Sequence, residues 1–103
     1  MFNGIIYNQG TIKSIYRNPK YVSGSLVIEV TSNIKFKKND VGESVSCDGV
    51  CLTLIRIKST SFLFYLSKET LLKSNFRYAK LGKNINIEKS LIHGQKISGH
   101  YVQ

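Results

Sequence analysis

The sequence predicts an all-β domain, a small barrel or a sandwich. Three observations carry that expectation. Apolar residues alternate with a period of two through most of the chain, turn residues recur at roughly 8 to 12 residue intervals, and the period changes to a helical one in a single short segment. A length of 103 residues is enough for one hydrophobic core and too little for two.

The elements follow in order. GIIYNQGTIKSIYRN reads as a first strand broken near Gly10, because a glycine inside a strand pattern marks a bulge or a bend. In SLVIEV, Leu26, Ile28 and Val30 share one face; in VCLTL, Val50, Leu52 and Leu54 share one face and point inward, leaving Cys51, Thr53 and Ile55 on the other. SFLFYLS sets Phe62, Phe64 and Leu66 against Leu63, Tyr65 and Ser67, and KNINIEKS alternates at Ile85 and Ile87. Between Tyr65 and Gly82, Glu69, Leu71, Leu72, Asn75 and Phe76 suit a helix of about two turns with Ser67 as its N-cap. Asn18-Pro19, Gly24, Asn39-Asp40, Gly42, Asp48-Gly49, Gly82 and Gly94 supply the turns. Neither an internal repeat nor a low-complexity tract interrupts this pattern, which disfavours solenoids and propellers.

Composition narrows the function. Apolar residues at 42% and charged residues at 20% describe a globular chain rather than a disordered one. No apolar run approaches the roughly 18 residues of a membrane span, and MFNGIIYNQG lacks the basic and small-residue features of a secretory signal. The expectation is a soluble cytoplasmic protein with both cysteines reduced and no membrane partner. A net charge of +9 favours an anionic partner only if the charge is concentrated, and the one dense cluster is Lys35-Phe36-Lys37-Lys38.

Residues 45 to 54, VSCDGVCLTL, raise three chemistries. A zinc site built on Cys47 and Cys51 lacks histidines at finger spacing, since His93 and His100 are separated by six residues. A redox pair needs two residues between its cysteines, and here there are three. The third reading has a mechanism: Asp-Gly tolerates positive φ and centres tight hairpins between right-twisted strands. Cys51 and Thr53 then form a weakly polar strip, and Tyr65-Leu66-Ser67-Lys68-Glu69-Thr70 adds backbone groups, hydroxyls, a cation and a carboxylate that suit a polar heterocycle. The plain alternative for that segment is a strand end entering a capped helix, with Lys68 and Glu69 merely solvated. Neither a nucleophile elbow nor a phosphate-cradling glycine loop occurs.

Read together, these segments resemble the N-terminal lumazine-binding barrel of the riboflavin synthase family, alpha-chain type. MFNGII is similar to the family start Met-Phe-Thr-Gly-Ile, SVSCDGVCLTL to Ser-Val-x-x-Asn-Gly-Val-Cys-Leu-Thr-Val, and LSKETLLKSNF to a run containing Glu-Thr-Leu-x-x-Thr-Asn-Leu. GKNINIEKSL and ISGHYVQ continue the match in the family's order. The resemblance implies a six-stranded antiparallel Greek-key barrel with one or two short helices, doubled in the full enzyme. It also implies dismutation of two 6,7-dimethyl-8-ribityllumazine molecules into riboflavin and a ribitylamino-pyrimidine, with no metal or other cofactor. The family's chemistry relies on acidic 7-methyl protons and on two rings held face to face, so proximity supplies much of the rate.

By motif position, the resemblance assigns Gly4, Ile5 and Ile6 to one lumazine. It assigns Cys51, Leu52 and Thr53 with Tyr65, Leu66, Ser67, Lys68, Glu69 and Thr70 to the pocket of this barrel. Phe2 and Ser44 match positions linked to activity, and Cys51 and Thr53 are the candidates to position or supply a nucleophile or activated water. Two departures accompany the match: Asn3 stands where the family has Thr, and Gln103 falls where the family continues into a second barrel and a trimer-forming helix. The expectation is one barrel carrying half of a site that the family shares between subunits, in a homo-oligomer that is a trimer for the full enzyme and a dimer for one barrel. Alternatives from other classes are a non-catalytic lumazine or flavin carrier and, less favoured, a basic barrel binding single-stranded nucleic acid.

Overall fold

The structure is a computed structural model that describes residues 8–89. Its elements are β1 (Asn8–Tyr16), β2 (Leu26–Ser32), β3 (Ser44–Cys47), β4 (Val50–Ile57), β5 (Ser61–Leu66), α1 (Lys68–Lys73) and β6 (Asn84–Lys89). The strands close into an antiparallel barrel in the order β1-β2-β5-β4-β3-β6. Three consecutive hairpin-linked strands, β3 to β5, are flanked by β6 returning beside β3, which is the Greek-key arrangement.

The two-residue alternation decides what lies inside. Ile12, Ile28, Val30, Val45, Cys47, Leu52, Leu54, Phe62, Phe64, Leu66, Ile85 and Ile87 form one buried cluster. Each large side chain in it gains roughly 1.5–3 kcal/mol by leaving water. Leu71 of α1 and Phe76 close the barrel at the Leu66 end of β5, whereas Ile34 and Phe36 close the other end. There Phe36 meets Phe62 edge to face, with ring centres 4.8 Å apart at 80°.

Barrel closure depends on β1, which serves two partners. Asn8–Thr11 pairs with β6, and Gly10–Tyr16 pairs with β2. The irregularity expected near Gly10 falls between Ile12 and Ser14, and the strand runs through Gly10 itself. Gly10 is needed for a different reason, close approach. A Cβ there would lie 2.5 Å from Val30 Cγ1 and 2.8 Å from Ile87 Cδ1, so the residue must be bare where the strand crosses between neighbours.

The Asp-Gly turn forms as the sequence predicts, with Asp48 at φ 51 and Gly49 at φ 80, the double positive φ of a type I′ hairpin. Asp48 adds a second function. Its amide donates to the Asn86 carbonyl at 2.7 Å and its Oδ1 accepts from the Asn86 amide at 2.7 Å, tying the hairpin to β6.

The predicted two-turn helix is shorter than expected. Ser67 caps it, accepting from the Thr70 amide at 3.1 Å, but Ser74 is extended (φ −132, ψ 173) and ends it. Ser74 then accepts from the Phe76 amide at 3.2 Å and starts a separate 3-10 turn, Asn75–Tyr78. A serine that bonds the backbone ahead of it competes with helix continuation, and here it wins.

Candidate functional site

Strand register brings the sequence-predicted residues together on the outside of the barrel. Ser44 faces Thr53 across β3 and β4, Thr53 faces Tyr65 across β4 and β5, and Ser46 faces Cys51 one step along. Directly opposed residues present their side chains on one face, so Ser44, Thr53 and Tyr65 form one row and Ser46 and Cys51 the next. Cys51 is exposed and Thr53 half-buried, while Leu52 and Leu54 between them are in the core. The polar strip expected from the alternation is present.

Beside the strip, α1 contributes its first turns. Cys51, Glu69 and Thr70 line a shallow hollow of about 300 Å³ together with Gly49, Val50, Lys73 and Ser74. This hollow runs into another of about 280 Å³ that shares Val50, Lys73 and Ser74 and extends to Phe76 and Lys83. The Ser67 hydroxyl donates to Thr70 Oγ1 at 3.0 Å while accepting from the Thr70 amide. Ser67 is thus committed to starting the helix, and the Thr70 hydroxyl keeps its own hydrogen for donation.

Other predicted residues are placed differently. Leu52 and Leu66 are 1% and 0% exposed, so only their peptide groups remain for a ligand. Lys68 and Glu69 are exposed, and Glu69 pairs with Lys73 at 3.2 Å across the helix surface, an interaction of little energetic consequence. Phe2, Gly4, Ile5 and Ile6 lie outside the described residues, as do His93 and His100.

The two thiols differ completely. Cys47 is fully buried, and burial, with the nearby Asp48 carboxylate, pushes its thiol far above the ordinary range. It remains a core residue, while Cys51 is exposed on the strip. No group of three or more His, Cys, Asp or Glu capable of holding a metal occurs among the described residues.

Tyr21 is a contributor that the sequence pattern gave no sign of. The loop between β1 and β2 folds over the outer face and sets the Tyr21 ring 5.2 Å from that of Tyr65, at 54°. Val27, opposite Tyr65 and outward-facing, is 1% exposed beneath this loop. The loop also touches the helix start: a Cβ on Gly24 would come within 3.0 Å of the Lys68 side chain. An aromatic pair therefore borders the hydroxyl strip. Chain reversal over a distant strand leaves no periodic signal in the sequence.

A closed six-stranded barrel with this strand order and a capped helix over one end belongs to the class of small Greek-key β-barrels. The chain belongs, within that class, to the lumazine-binding domain family, whose model matches residues 3–90. It is also similar over nearly its whole length to proteins named riboflavin synthase. Identity is 30% over 102 residues with that of Photobacterium leiognathi, covering 99% of this chain and 45% of that protein. It is 33% over 102 residues with that of Buchnera aphidicola subsp. Baizongia pistaciae (99% and 47%), and 32% over 106 residues with that of Saccharomyces cerevisiae (100% and 44%). The chain thus spans less than half the length of these relatives.

Proposed function

We propose that the barrel binds 6,7-dimethyl-8-ribityllumazine along the strip formed by Ser44, Cys51 and Thr53, between Tyr65 and the start of α1, and supplies one half of a riboflavin synthase active site. The observation that carries this reading is the convergence of Cys51 and Thr53 with Glu69 and Thr70, from two separate matching segments, beside one outward-facing hollow. Hydroxyls of Thr53 and Thr70 and the Cys51 thiol suit the donors and acceptors of a pyrimidinedione-type ring.

Such a strip is open on its outer side. Transfer of a four-carbon unit between two lumazines requires a second ring held face to face with the first, and a second barrel would supply that ring. In the proposed reaction one lumazine donates the unit and leaves as the ribitylamino-pyrimidine, while the other accepts it and becomes riboflavin. Cys51 and Thr53 position the ring or its attacking water; oligomerisation completes the site.

The test is to incubate the purified chain with the lumazine, following bound ligand by fluorescence, complex mass by sedimentation and riboflavin by absorbance. Saturable binding with little riboflavin formed is expected. Absence of binding would refute the reading, and riboflavin formation at ordinary enzymatic rates by single barrels would refute its half-site part.

A further inference from the structure

We propose that the opposite end of the barrel holds a second ligand site, for a small organic anion with a flat or apolar body. The hollow there has a volume of about 570 Å³ and lies between the loop after β2 and the turn joining β4 to β5. Its lining shares no residue with the hollow beside Cys51. Its size is within the roughly 300–1,000 Å³ typical of small-molecule sites.

Two layers of chemistry define the ligand. Phe36 and Phe62, packed edge to face, give an apolar patch within a lining otherwise mostly of Gln, Ser, Thr and Asn, and the rim carries Asn33, Thr60, Lys35 and Lys58. The Asn33 amide and the Thr60 hydroxyl make no hydrogen bond among the described residues, so both are available to a ligand.

Charge selects an anion. Lys58 is held at 3.3 Å by the Glu29 carboxylate, which also accepts from the Ser61 hydroxyl at 2.6 Å. The neighbouring Asp40 carboxylate is buried and accepts from the Lys37 amide at 2.7 Å, with Lys89 Nζ at 3.8 Å. Both carboxylates at this end are therefore buried and engaged. Lys35 differs: its carbonyl accepts from Lys89 Nζ, and its own ammonium has no carboxylate partner among the described residues. An unmatched cation on the rim of a largely polar hollow that carries one aromatic patch is an arrangement that suits a phosphate or carboxylate attached to a ring.

The probe is adenosine monophosphate, added to the isotopically labelled 103-residue chain and followed by amide chemical shifts, with adenosine and inorganic phosphate as separate arms. Saturable shifts centred on residues 33–36 and 58–62 are expected, with adenosine and phosphate each binding about tenfold more weakly. Lys35→Gln, an exposed position where folding is not at risk, should weaken the nucleotide about tenfold, the order of one charge-assisted hydrogen bond, while Lys80→Gln leaves it unchanged. Phosphate binding as tightly as the nucleotide would mean an adventitious ion only and would overturn the proposal. So would shifts centred on Cys51 and Thr70, a failure to saturate, or a Lys35→Gln variant that binds like the parent chain.

Discussion

Cys47 and Cys51 are four residues apart, yet one is sealed in the core and the other is exposed beside Thr53. A tight turn followed by strict alternation accounts for the difference, and both features are local enough to be read from VSCDGVCLTL. Iodoacetamide at neutral pH should therefore add one label to the native chain, at Cys51, and two only after denaturation; mass spectrometry decides, and rapid double labelling would contradict the burial. Thr53→Val removes a hydroxyl from the strip while keeping the side chain's shape, and is expected to weaken lumazine binding about three- to tenfold. Cys47→Ser should leave that affinity unchanged below its melting point while lowering stability by about 1–3 kcal/mol, because a hydroxyl enters an apolar core. Tyr21, by contrast, was not legible. Its contact with Tyr65 joins residues 44 positions apart through a loop with no pattern of its own, and only tertiary packing creates it.

At the scale of elements, strand faces were legible and closure was not. Leu26, Ile28 and Val30, or Phe62, Phe64 and Leu66, declare their buried face through side-chain type alone. Which strands pair is a long-range matter: β1 joins β6 across more than 70 residues, and no local preference encodes that. Gly10 illustrates the distinction, since its position in the strand was visible but its reason, contact with Val30 and Ile87, needed the closed barrel. Gly10→Ala is expected to destabilise the chain by about 1–3 kcal/mol through overpacking, measured as a lower denaturation midpoint with an unchanged slope. The helix was legible at its start and misjudged at its end. Ser67 is a recognisable N-cap, whereas Ser74, inside the stretch expected to be helical, accepts from the Phe76 amide and ends the helix.

For the molecule as a whole, charge and ligand chemistry separate. The net charge of +9 is set against few carboxylates, and Glu29 is one that folding uses. The Ser61 hydroxyl is the main cause holding its carboxyl below the ordinary value of 4.5, assisted by Lys58 against the opposing effect of burial. A lowered folded-state pKa means this contribution is intact above about 4.5 and is lost as the pH falls through the depressed value. Glu29→Gln should consequently flatten the acid limb of a stability-against-pH curve, and a limb identical to that of the parent chain would show that Glu29 is not responsible. In the proposed reading the ligand is held through the hydroxyls of Thr53 and Thr70, and Lys73 of the adjoining hollow is paired with Glu69, so affinity there should respond little to salt. The most direct measurement is a fluorescence titration of the purified chain with 6,7-dimethyl-8-ribityllumazine, run in parallel on Thr53→Val. Saturation near one ligand per barrel, weakened by the substitution, is the predicted result; no saturable change in the parent chain, or identical curves for the two, would contradict a lumazine site on this face of the barrel.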